Sequence, residues 1–343
     1  MKVEEIRKKL DASISSIPVW IRYGIVVLLL VTLFLVPFMG FSRYFFRIIN
    51  MAGIYSILAL SLNLLTGYLG LVSMGHAAYY AIGAYASALL CTKLDTDFFV
   101  SAIFAIIIAA ACGFCLGLPS LRLSGSYLAI ITLGFAEIVK VVAMNWKSVT
   151  NGALGVKAIP KPEFFGVELT NVNGGLYYLI LISAIVVALF CYALKKSKTG
   201  RAFYAIKDDE LAASLMGLKT NRYKVLGFTI AAAIAGYAGA LYAPLAGYID
   251  PNTFTFDTST LVLCMVILGG MGSIKGMFVG AFLLVLFPEV LRFMETARFL
   301  VYGAVLIVMM RFKPSGLFGS LPKKPYRLPK GVELHGKYGD LNA

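Results

Sequence analysis

Long apolar runs separated by short polar segments make up most of this chain. A helix that crosses a membrane needs about 20 apolar residues, with a range of roughly 17–25, and most of these runs approach that length. The pattern therefore predicts an all-α polytopic membrane protein with about ten transmembrane helices. The runs lie near residues 21–40, 45–66, 76–92, 99–118, 127–144, 176–194, 225–247, 258–270, 276–291 and 298–311.

Two glycine-rich stretches interrupt the apolar pattern. One is LNLLTGYLGLVSMGHAAYYAIGAY, residues 62–85, and the other is GGMGSIKG, residues 269–276. Glycine costs about 1 kcal/mol in a helix interior, and membrane proteins tolerate broken helices where the freed backbone lines a cavity or path. We therefore expect short or Gly-broken helices beside a substrate path. The two short runs over 258–291 either cross the membrane twice or form a re-entrant hairpin.

The distribution of charge supports ten crossings and gives them an orientation. The chain is 59% hydrophobic and 14% charged, whereas a soluble protein carries about 25% charged residues. With ten crossings and a cytoplasmic N-terminus, 22 of the 31 Lys and Arg residues lie on the cytoplasmic side, as the positive-inside rule requires. The net charge of +14 is then explained by cytoplasmic loops, and no nucleic-acid binding is expected.

This topology divides the chain into three regions. They are a cytoplasmic amphipathic segment at 1–20, a transmembrane domain at 21–311 with an external loop at 145–175 and a cytoplasmic loop at 195–224, and a cytoplasmic tail at 312–343. Within the cytoplasmic loop, Leu211, Leu215 and Leu218 recur at helix spacing. We expect a short amphipathic helix there, which either rests on the lipid headgroups or docks a cytoplasmic partner.

The sequence contains no convincing catalytic or metal-binding constellation. Cys112 and Cys115 form a CxxC pair, but a zinc site needs about four ligands and no second pair accompanies them. The phosphate-binding pattern G-x-x-x-x-G-K-[ST] does not occur in the chain either. We therefore expect a chain that is not an enzyme, without a metal or cofactor of its own, and any ATP chemistry must come from another subunit.

Four stretches of the sequence occur in the order typical of one permease family. They are residues 62–85; LRLSGSYLAIITLGFAEIVKVV at 121–142 with NWKSVTNGALGVKAIP at 145–160; GRAFYAIKDDELAASLMGLKTNRYKVLGFTIAAAIAGYAGALYA at 200–243; and LGGMGSIKGMFVGAF at 268–282 with RFKPSGLFG at 311–319. This ordered set resembles the permease subunits of branched-chain amino acid ABC importers, the LivH/LivM permease family, and within that pair the LivM type. The resemblance covers most of residues 60–320.

The resemblance implies a function and a set of partners. A permease subunit of this kind lies in the cell (inner) membrane and translocates branched-chain, hydrophobic amino acids that an extracytoplasmic binding protein delivers. The implied partners are that binding protein, a second homologous permease subunit, and two cytoplasmic ATPase subunits that hold ATP and Mg²⁺. The same architecture with urea, short amides or other amino acids as cargo is one alternative. An ion-coupled secondary amino acid transporter, which also has broken helices, is an alternative of another class.

The resemblance makes the loop at 195–224 the counterpart of the coupling loop of ABC importers. Its A-A-x-x-x-G core is present, although Leu211 stands where a glutamate usually precedes the alanines, and Glu210 lies one place earlier. In this interpretation the small residues seat a helix in a groove on the ATPase, while the acidic residues cap amides and pair with basic groups of that partner. The predicted coupling residues are Asp208, Asp209, Glu210, Ala212, Ala213 and Gly217.

Polar side chains inside the apolar stretches are candidates for the translocation path, because a zwitterion needs modest polarity without a fixed charge trap. They are Asn63, Thr66, Ser73, His76, Tyr127, Thr132 and Glu137. Ionisable groups within membrane spans are functional candidates. However, Glu137 stands three residues before Lys140, so a structural ion pair on one helix face is the alternative. His76 either lines the path or hydrogen-bonds groups at the start of a helix.

The external loop contains candidates for contact with a docked binding protein. They are Thr150, Asn151 and Gly152, in the sequence NWKSVTNGALG. The alternative for these three residues is a capped turn, which their types also favour.

Overall fold

The computed structural model describes residues 42–120, 125–164, 166–170, 174–290 and 316–319, together with Pro37 and Gly303. Helix α1, Arg43–Asn63, continues into a π-helical turn at Leu64–Leu69. The other helices are α2 (His76–Lys93), α3 (Phe98–Ser120), α4 (Ser126–Asn145), α5 (Lys147–Thr150), α6 (Gly175–Lys196), α7 (Lys198–Asp208), α8 (Glu210–Leu215), α9 (Thr220–Ala246), α10 (Phe256–Gly269) and α11 (Ile274–Val290).

Six helical segments in the described ranges are long and apolar enough to cross a membrane. They are Arg43–Leu69, Phe98–Pro119, Tyr127–Asn145, Gly175–Lys196, Thr220–Ala246 and Pro251–Gly269. Helices α2 and α11 also coincide with predicted runs. The chain is therefore an all-α polytopic membrane protein, as predicted. The predicted spans at 21–40 and 298–311 lie outside the described residues except for Pro37 and Gly303, so the count of about ten stays a prediction.

Helices α1 and α9 form the centre of the bundle. In the most apolar window of each helix, 72% of the residues of α1 and 67% of those of α9 are buried, compared with 28% for α4. Helix α2 approaches α9 so closely that a Cβ atom on Gly83 would overlap the backbone of Gly236. Small residues allow such close contact, which matters in a membrane because apolar side chains gain little by leaving lipid.

Lysine hydrogen bonds show which loops lie together at each end of the bundle. At one end, the Lys207 Nζ atom of α7 donates a hydrogen bond of 2.7 Å to the carbonyl of Gly67 in the π-helical turn. At the other end, Lys93 Nζ, at the end of α2, donates a hydrogen bond of 2.9 Å to the carbonyl of Val149 in α5. The segments expected to be cytoplasmic thus share one end, here called the basic end, and those expected to be external share the opposite end.

The external loop has a small structure of its own. After α5 it forms a 3₁₀ turn at Gly152–Leu154 and then a hairpin of two antiparallel strands, β1 (Glu163–Phe164) and β2 (Val167–Glu168). An isolated antiparallel bridge between Val156 and Ile249 fastens the loop to the segment that follows α9. These contacts fix the loop against the bundle.

Helices α10 and α11 form a tight antiparallel hairpin at the second glycine-rich stretch. The backbones of Gly269 and Gly276 touch at its turn, where a Cβ on either residue would overlap a carbonyl of the other. With 14 and 17 residues, the arms are about 21 and 26 Å long at 1.5 Å per residue. A 3₁₀ turn at Pro251–Thr253 precedes α10, close to the bridge between Ile249 and Val156. Each arm alone is shorter than the roughly 30 Å of a bilayer core, but with the turn before it α10 forms the 19-residue apolar segment Pro251–Gly269, so both alternatives for 258–291 stay predictions.

Candidate functional site

The first glycine-rich stretch is a re-entrant break between α1 and α2. The π-helical turn ends at Gly70, whose φ of +75° turns the chain back. The next residues enter the bundle without regular structure, and α2 begins at His76, which is 1% exposed. His76 lies beside Ser61, which is about 12 Å from Leu69 along α1 at 1.5 Å per residue. Helix α2 therefore starts inside the helical bundle rather than at its end.

Hydrogen bonds from neighbouring helices hold this buried start of α2. The backbone N–H of Ala77 donates to Ser259 Oγ of α10 at 3.0 Å. The N–H of Met74 donates to Thr132 Oγ1 of α4 at 3.0 Å. Because the first amides of a helix have no partner within it, these hydroxyls supply the acceptors that a buried helix start needs.

His76 is connected to α1 and α9 through one serine. The Ser61 hydroxyl lies 2.9 Å from His76 Nε2 and 2.6 Å from the carbonyl oxygen of Ala231. Since a carbonyl only accepts, the single hydroxyl hydrogen is donated to Ala231, and Ser61 accepts its second bond from His76. His76 thus carries its proton on Nε2. Its buried Nδ1 has no hydrogen-bond partner among the described residues.

The other predicted path residues on the break are buried, with hydrogen bonds inside this chain. Asn63 Oδ1 accepts from the N–H of Gly272 at 2.7 Å, so it joins the two glycine-rich stretches. Thr66 donates to the carbonyl of Leu62 at 2.9 Å, and Ser73 Oγ accepts from the N–H of Gly75 at 3.4 Å. These side chains hold the broken backbone, and whether any of them also contacts cargo stays a prediction.

Tyr127 and Glu137 lie apart from this cluster, on the outer side of α4. Tyr127 is 72% exposed and Glu137 is half-buried. The alternative of an ion pair with Lys140 is not found, because Lys224 and Glu210 form the only ion pair in the part of the chain that the structure describes. The predicted path residues therefore fall into two groups, one inside the bundle and one on the surface of α4.

The loop predicted to be a coupling loop contains two helices rather than one, α7 and α8, and we call residues 198–215 the coupling segment after that prediction. Helix α7 ends at Asp208, and α8 begins after Asp209, whose carboxylate accepts from the N–H of Ala212 at 2.9 Å. This N-cap is the amide capping that the sequence predicted. Glu210 pairs with Lys224 of α9, a buried lysine, at 2.5 Å. Its partner in the structure lies within this chain, and pairing with a basic group of an ATPase stays a prediction.

The small residues of the segment also have local roles. Ala213 is buried against the chain's own bundle, while Ala212 is exposed. A Cβ on Gly217 would meet no atom within 4 Å, but its φ of +85° favours glycine. Gly217 is needed for the turn after α8 rather than for close packing. Contact of these residues with an ATPase stays a prediction.

Large apolar side chains are exposed on α8 and at its end, where the Leu spacing predicted an amphipathic helix, although Leu218 is half-buried and Met216 was not among the predicted residues. Leu211 is 71% exposed, Leu215 is 80% exposed, and Met216 is 85% exposed. Large apolar side chains this exposed on a polar loop mark a contact surface. We call Leu211, Leu215 and Met216 the α8 apolar face. The signal for it was present as Leu spacing inside a charged loop.

The external turn is a capped turn. The Thr150 hydroxyl is buried, within 2.7 Å of the carbonyl of Ala143, and it accepts from the N–H of Gly152 at 3.3 Å. Asn151 has a φ of +64° and donates from its side chain to the carbonyl of Gly155 at 3.2 Å. The turn geometry accounts for all three residues, and their contact with a binding protein stays a prediction.

A comparison with known protein families finds one family whose sequence profile matches most of this chain. The sequence profile of the family described as "branched-chain amino acid transport system / permease component" matches residues 44–310. The chain belongs to this permease family. The resemblance found in the four stretches is thereby confirmed. A comparison with solved structures finds no match.

Several curated relatives are similar over most of the permease. The high-affinity branched-chain amino acid transport system permease protein LivM of Escherichia coli K12 is 40% identical over 303 residues, which cover 82% of this chain and 71% of the relative. The corresponding LivH protein of Salmonella typhimurium LT2 is 27% identical over 82% of this chain and 96% of its own. A probable branched-chain amino acid transport permease protein LivM of Methanocaldococcus jannaschii is 26% identical over 83% and 96%.

The hydrogen bonds of Ser61 give a test of the structural role of His76. We expect Ser61→Ala to destabilise the permease by about 1–3 kcal/mol, because the N–H of His76 and the carbonyl of Ala231 lose their buried partner. Thermal unfolding of the purified protein in detergent measures this loss. Ser148→Ala, at an exposed side chain, is the matched control. A Ser61→Ala protein that melts with the control would show that this bond does not hold the break.

Proposed function

We propose that this chain is a membrane-spanning permease subunit of an ATP-binding cassette importer that translocates branched-chain, hydrophobic amino acids. The observation that supports it most is the family match over residues 44–310, together with relatives whose names state branched-chain amino acid transport. Cargo arrives on an extracytoplasmic binding protein, and two cytoplasmic ATPase subunits supply the energy. The chain itself is not an enzyme, and ATP and Mg²⁺ belong to the ATPase subunits.

The orientation and the count of spans are part of this proposal. About ten helices cross the cell (inner) membrane, and both termini are cytoplasmic. The grouping of α7, α8 and the turn between α10 and α11 at the basic end supports this orientation, because Lys and Arg concentrate in cytoplasmic loops. The turn at Thr150 and the hairpin of β1 and β2 then face the binding protein.

Helix α8 is the coupling helix of the proposed importer. Its apolar face is exposed at the basic end. Because α8 is a short helix in the loop between two spans, an ATPase that binds it can displace it when the ATPase changes conformation. The Glu210–Lys224 pair joins α8 to α9, the second of the two central helices, so a displacement of α8 acts on the centre of the bundle.

The second permease subunit covers the outer side of α4. Glu137 and Lys140 are half-buried there and are not paired with each other. Ionisable groups within a membrane span almost always face protein or a water-filled cavity, because exposure to lipid is costly. Ile130 and Ile138, both more than 60% exposed on the same helix, provide an apolar contact surface around them. The surface group of predicted path residues, Tyr127 and Glu137, then lies between the two permeases.

Reconstitution tests the proposed function and its alternatives. The chain is purified with its second permease and both ATPases, placed in proteoliposomes, and supplied with the cognate binding protein and radiolabelled leucine. We expect leucine uptake that needs both ATP and the binding protein, and no uptake when the phosphate-loop lysine of the ATPases is replaced. Uptake of urea but not leucine would contradict the cargo. Uptake by this chain alone on a sodium or proton gradient would contradict the importer class.

A further inference from the structure

Two lysines of the loop at 195–224 each donate a hydrogen bond to one of the two glycine-rich stretches. Lys195 Nζ, at the end of α6, donates to the carbonyl of Gly272 at 2.9 Å. Lys207 Nζ, on α7, donates to the carbonyl of Gly67 at 2.7 Å. Gly67 lies in the π-helical turn that ends α1, and Gly272 lies just beyond α10. The last carbonyls of a helix have no partner within it, so Lys207 satisfies a group that the end of α1 leaves open, whereas Lys195 binds the turn between α10 and α11.

Both lysines have further contacts with the protein around these hydrogen bonds. The Lys195 ammonium also lies 5.7 Å from the ring centre of Tyr68, in the π-helical turn, and 5.9 Å from that of Tyr204, in α7. The two rings contact each other. A cation above an aromatic face gains further stabilisation when it is shielded from water. Burial lowers the pKa of Lys207, although the neighbouring Asp208 opposes that change. Lys195 is half-buried, and Lys207 is exposed but reaches the base of the bundle through its hydrogen bond to Gly67.

Helices α1 and α10, which lie next to these two lysine contacts, each contribute one hydrogen bond that positions the start of α2. Helix α1 carries Ser61, which bonds to His76, and α10 carries Ser259, which accepts from the N–H of Ala77. The two helix ends are also tied to each other, because the N–H of Gly272 donates to Asn63 Oδ1 at 2.7 Å. A displacement of the coupling segment would thus reach α2 along two parallel helices.

We propose that Lys195 and Lys207 are positioning residues that transmit movement of α7 and α8 to the re-entrant break at His76. This inference rests on the proposed importer function and adds to it the connection between ATPase docking and the path. The lysines do not touch cargo. They hold the ends of α1 and α10 to the coupling segment, so that both helices move with it.

The test is the amount of leucine imported per ATP hydrolysed by the complete reconstituted importer. We expect the double variant Lys195→Met, Lys207→Met to retain ATPase activity stimulated by the loaded binding protein, while leucine uptake per ATP falls at least tenfold. Methionine keeps the unbranched apolar stem, one atom shorter, but cannot donate a hydrogen bond. Arginine at both positions is expected to restore the ratio to within about twofold, because it still donates to the carbonyls. An unchanged ratio in the methionine variant would overturn the proposal.

Lys196→Met is the matched control. Lys196 is the next residue along α6, but its ammonium lies 4.5 Å from the ring centre of Tyr192 and donates to neither break. We expect this variant to keep the wild-type ratio. If it lost coupling to the same extent as the double variant, the effect would belong to loop charge, and the assignment of Lys195 and Lys207 would be wrong.

A measurement on the unmodified complex covers the case in which the methionine variants do not assemble. Hydrogen exchange is followed with and without a non-hydrolysable ATP analogue. We expect peptides covering 64–70 and 270–275 to change protection together with peptides covering 200–215. A change in 200–215 alone would overturn the proposal. Absence of ATPase stimulation by the loaded binding protein in the wild-type complex would instead count against the importer function itself.

Discussion

Replacing Gly83 with valine is expected to remove most of the folded permease from the membrane. A Cβ atom at this position would overlap both the carbonyl oxygen and the Cα of Gly236, which belong to the backbone of the central helix α9. A flexible side chain would yield, but two helix backbones cannot separate without losing the contacts along α2 and α9. Overpacking in a well-packed core typically costs about 1–3 kcal/mol, and a backbone collision lies at the upper end of that range or beyond. Monodisperse protein recovered after mild detergent extraction measures the effect.

Gly134→Val is the matched control for this substitution. Gly134 lies in a membrane helix like Gly83, but a Cβ added to it would meet no atom within 4 Å. We expect its yield of monodisperse protein to stay within about twofold of wild type, since surface substitutions usually change stability by less than about 0.5 kcal/mol. Equal losses for both variants would mean that valine in a membrane helix, and not the contact with α9, lowers the yield.

Much of the helical architecture was predictable because a membrane leaves a chain few choices. Each apolar run must satisfy its backbone internally, so hydropathy alone located the helices that contain Gly53, Gly113 and Gly236. The grouping of loops at two ends was also predictable, since the number of crossings fixes the side on which each loop emerges. The identification of the family followed from ordered motifs rather than from physics.

The depth of the break at His76 was not predictable from linear spacing. The glycines and polar residues of 62–85 indicated an interruption, but the sequence does not state that residues after Gly70 turn back into the bundle. The partners of His76 and Ala77, which are Ser61 and Ser259, lie 15 and 182 residues away along the chain. Single buried serines in apolar runs were the available signal, and their role depends on tertiary contacts that spacing does not contain.

The coupling segment shows the same limit on a smaller scale. Charge and Leu spacing predicted a helix, and Asp209 caps it as expected. The partner of Glu210 is Lys224, and this pairing requires the chain to turn at Gly217 and bring the start of α9 back beside α8. The sequence suggested that the acidic residues face an ATPase. In the structure, large apolar side chains of the segment are exposed beside these acidic residues.

The second large effect is expected from the α8 apolar face. Leu215→Asp combined with Met216→Asp should leave the permease folded but abolish its stable association with the ATPase subunits. Both side chains are at least 80% exposed, so the substitutions disturb few contacts within the chain. Apolar side chains that become buried in an interface carry much of its binding energy, and a buried, unpaired carboxylate is strongly unfavourable there. Co-purification of the ATPases with the tagged permease measures the association, and we expect a loss of at least tenfold.

Leu154→Asp distinguishes a specific interface from general surface hydrophobicity. Leu154 is 65% exposed, but it belongs to the external loop at the opposite end of the bundle. An ATPase subunit on the cytoplasmic side has no access to it, so we expect this variant to retain the ATPases fully. Retention by the α8 variant as well would place ATPase docking elsewhere on the basic end. Loss by the Leu154 variant, with α8 unaffected, would reverse the orientation proposed for the whole permease.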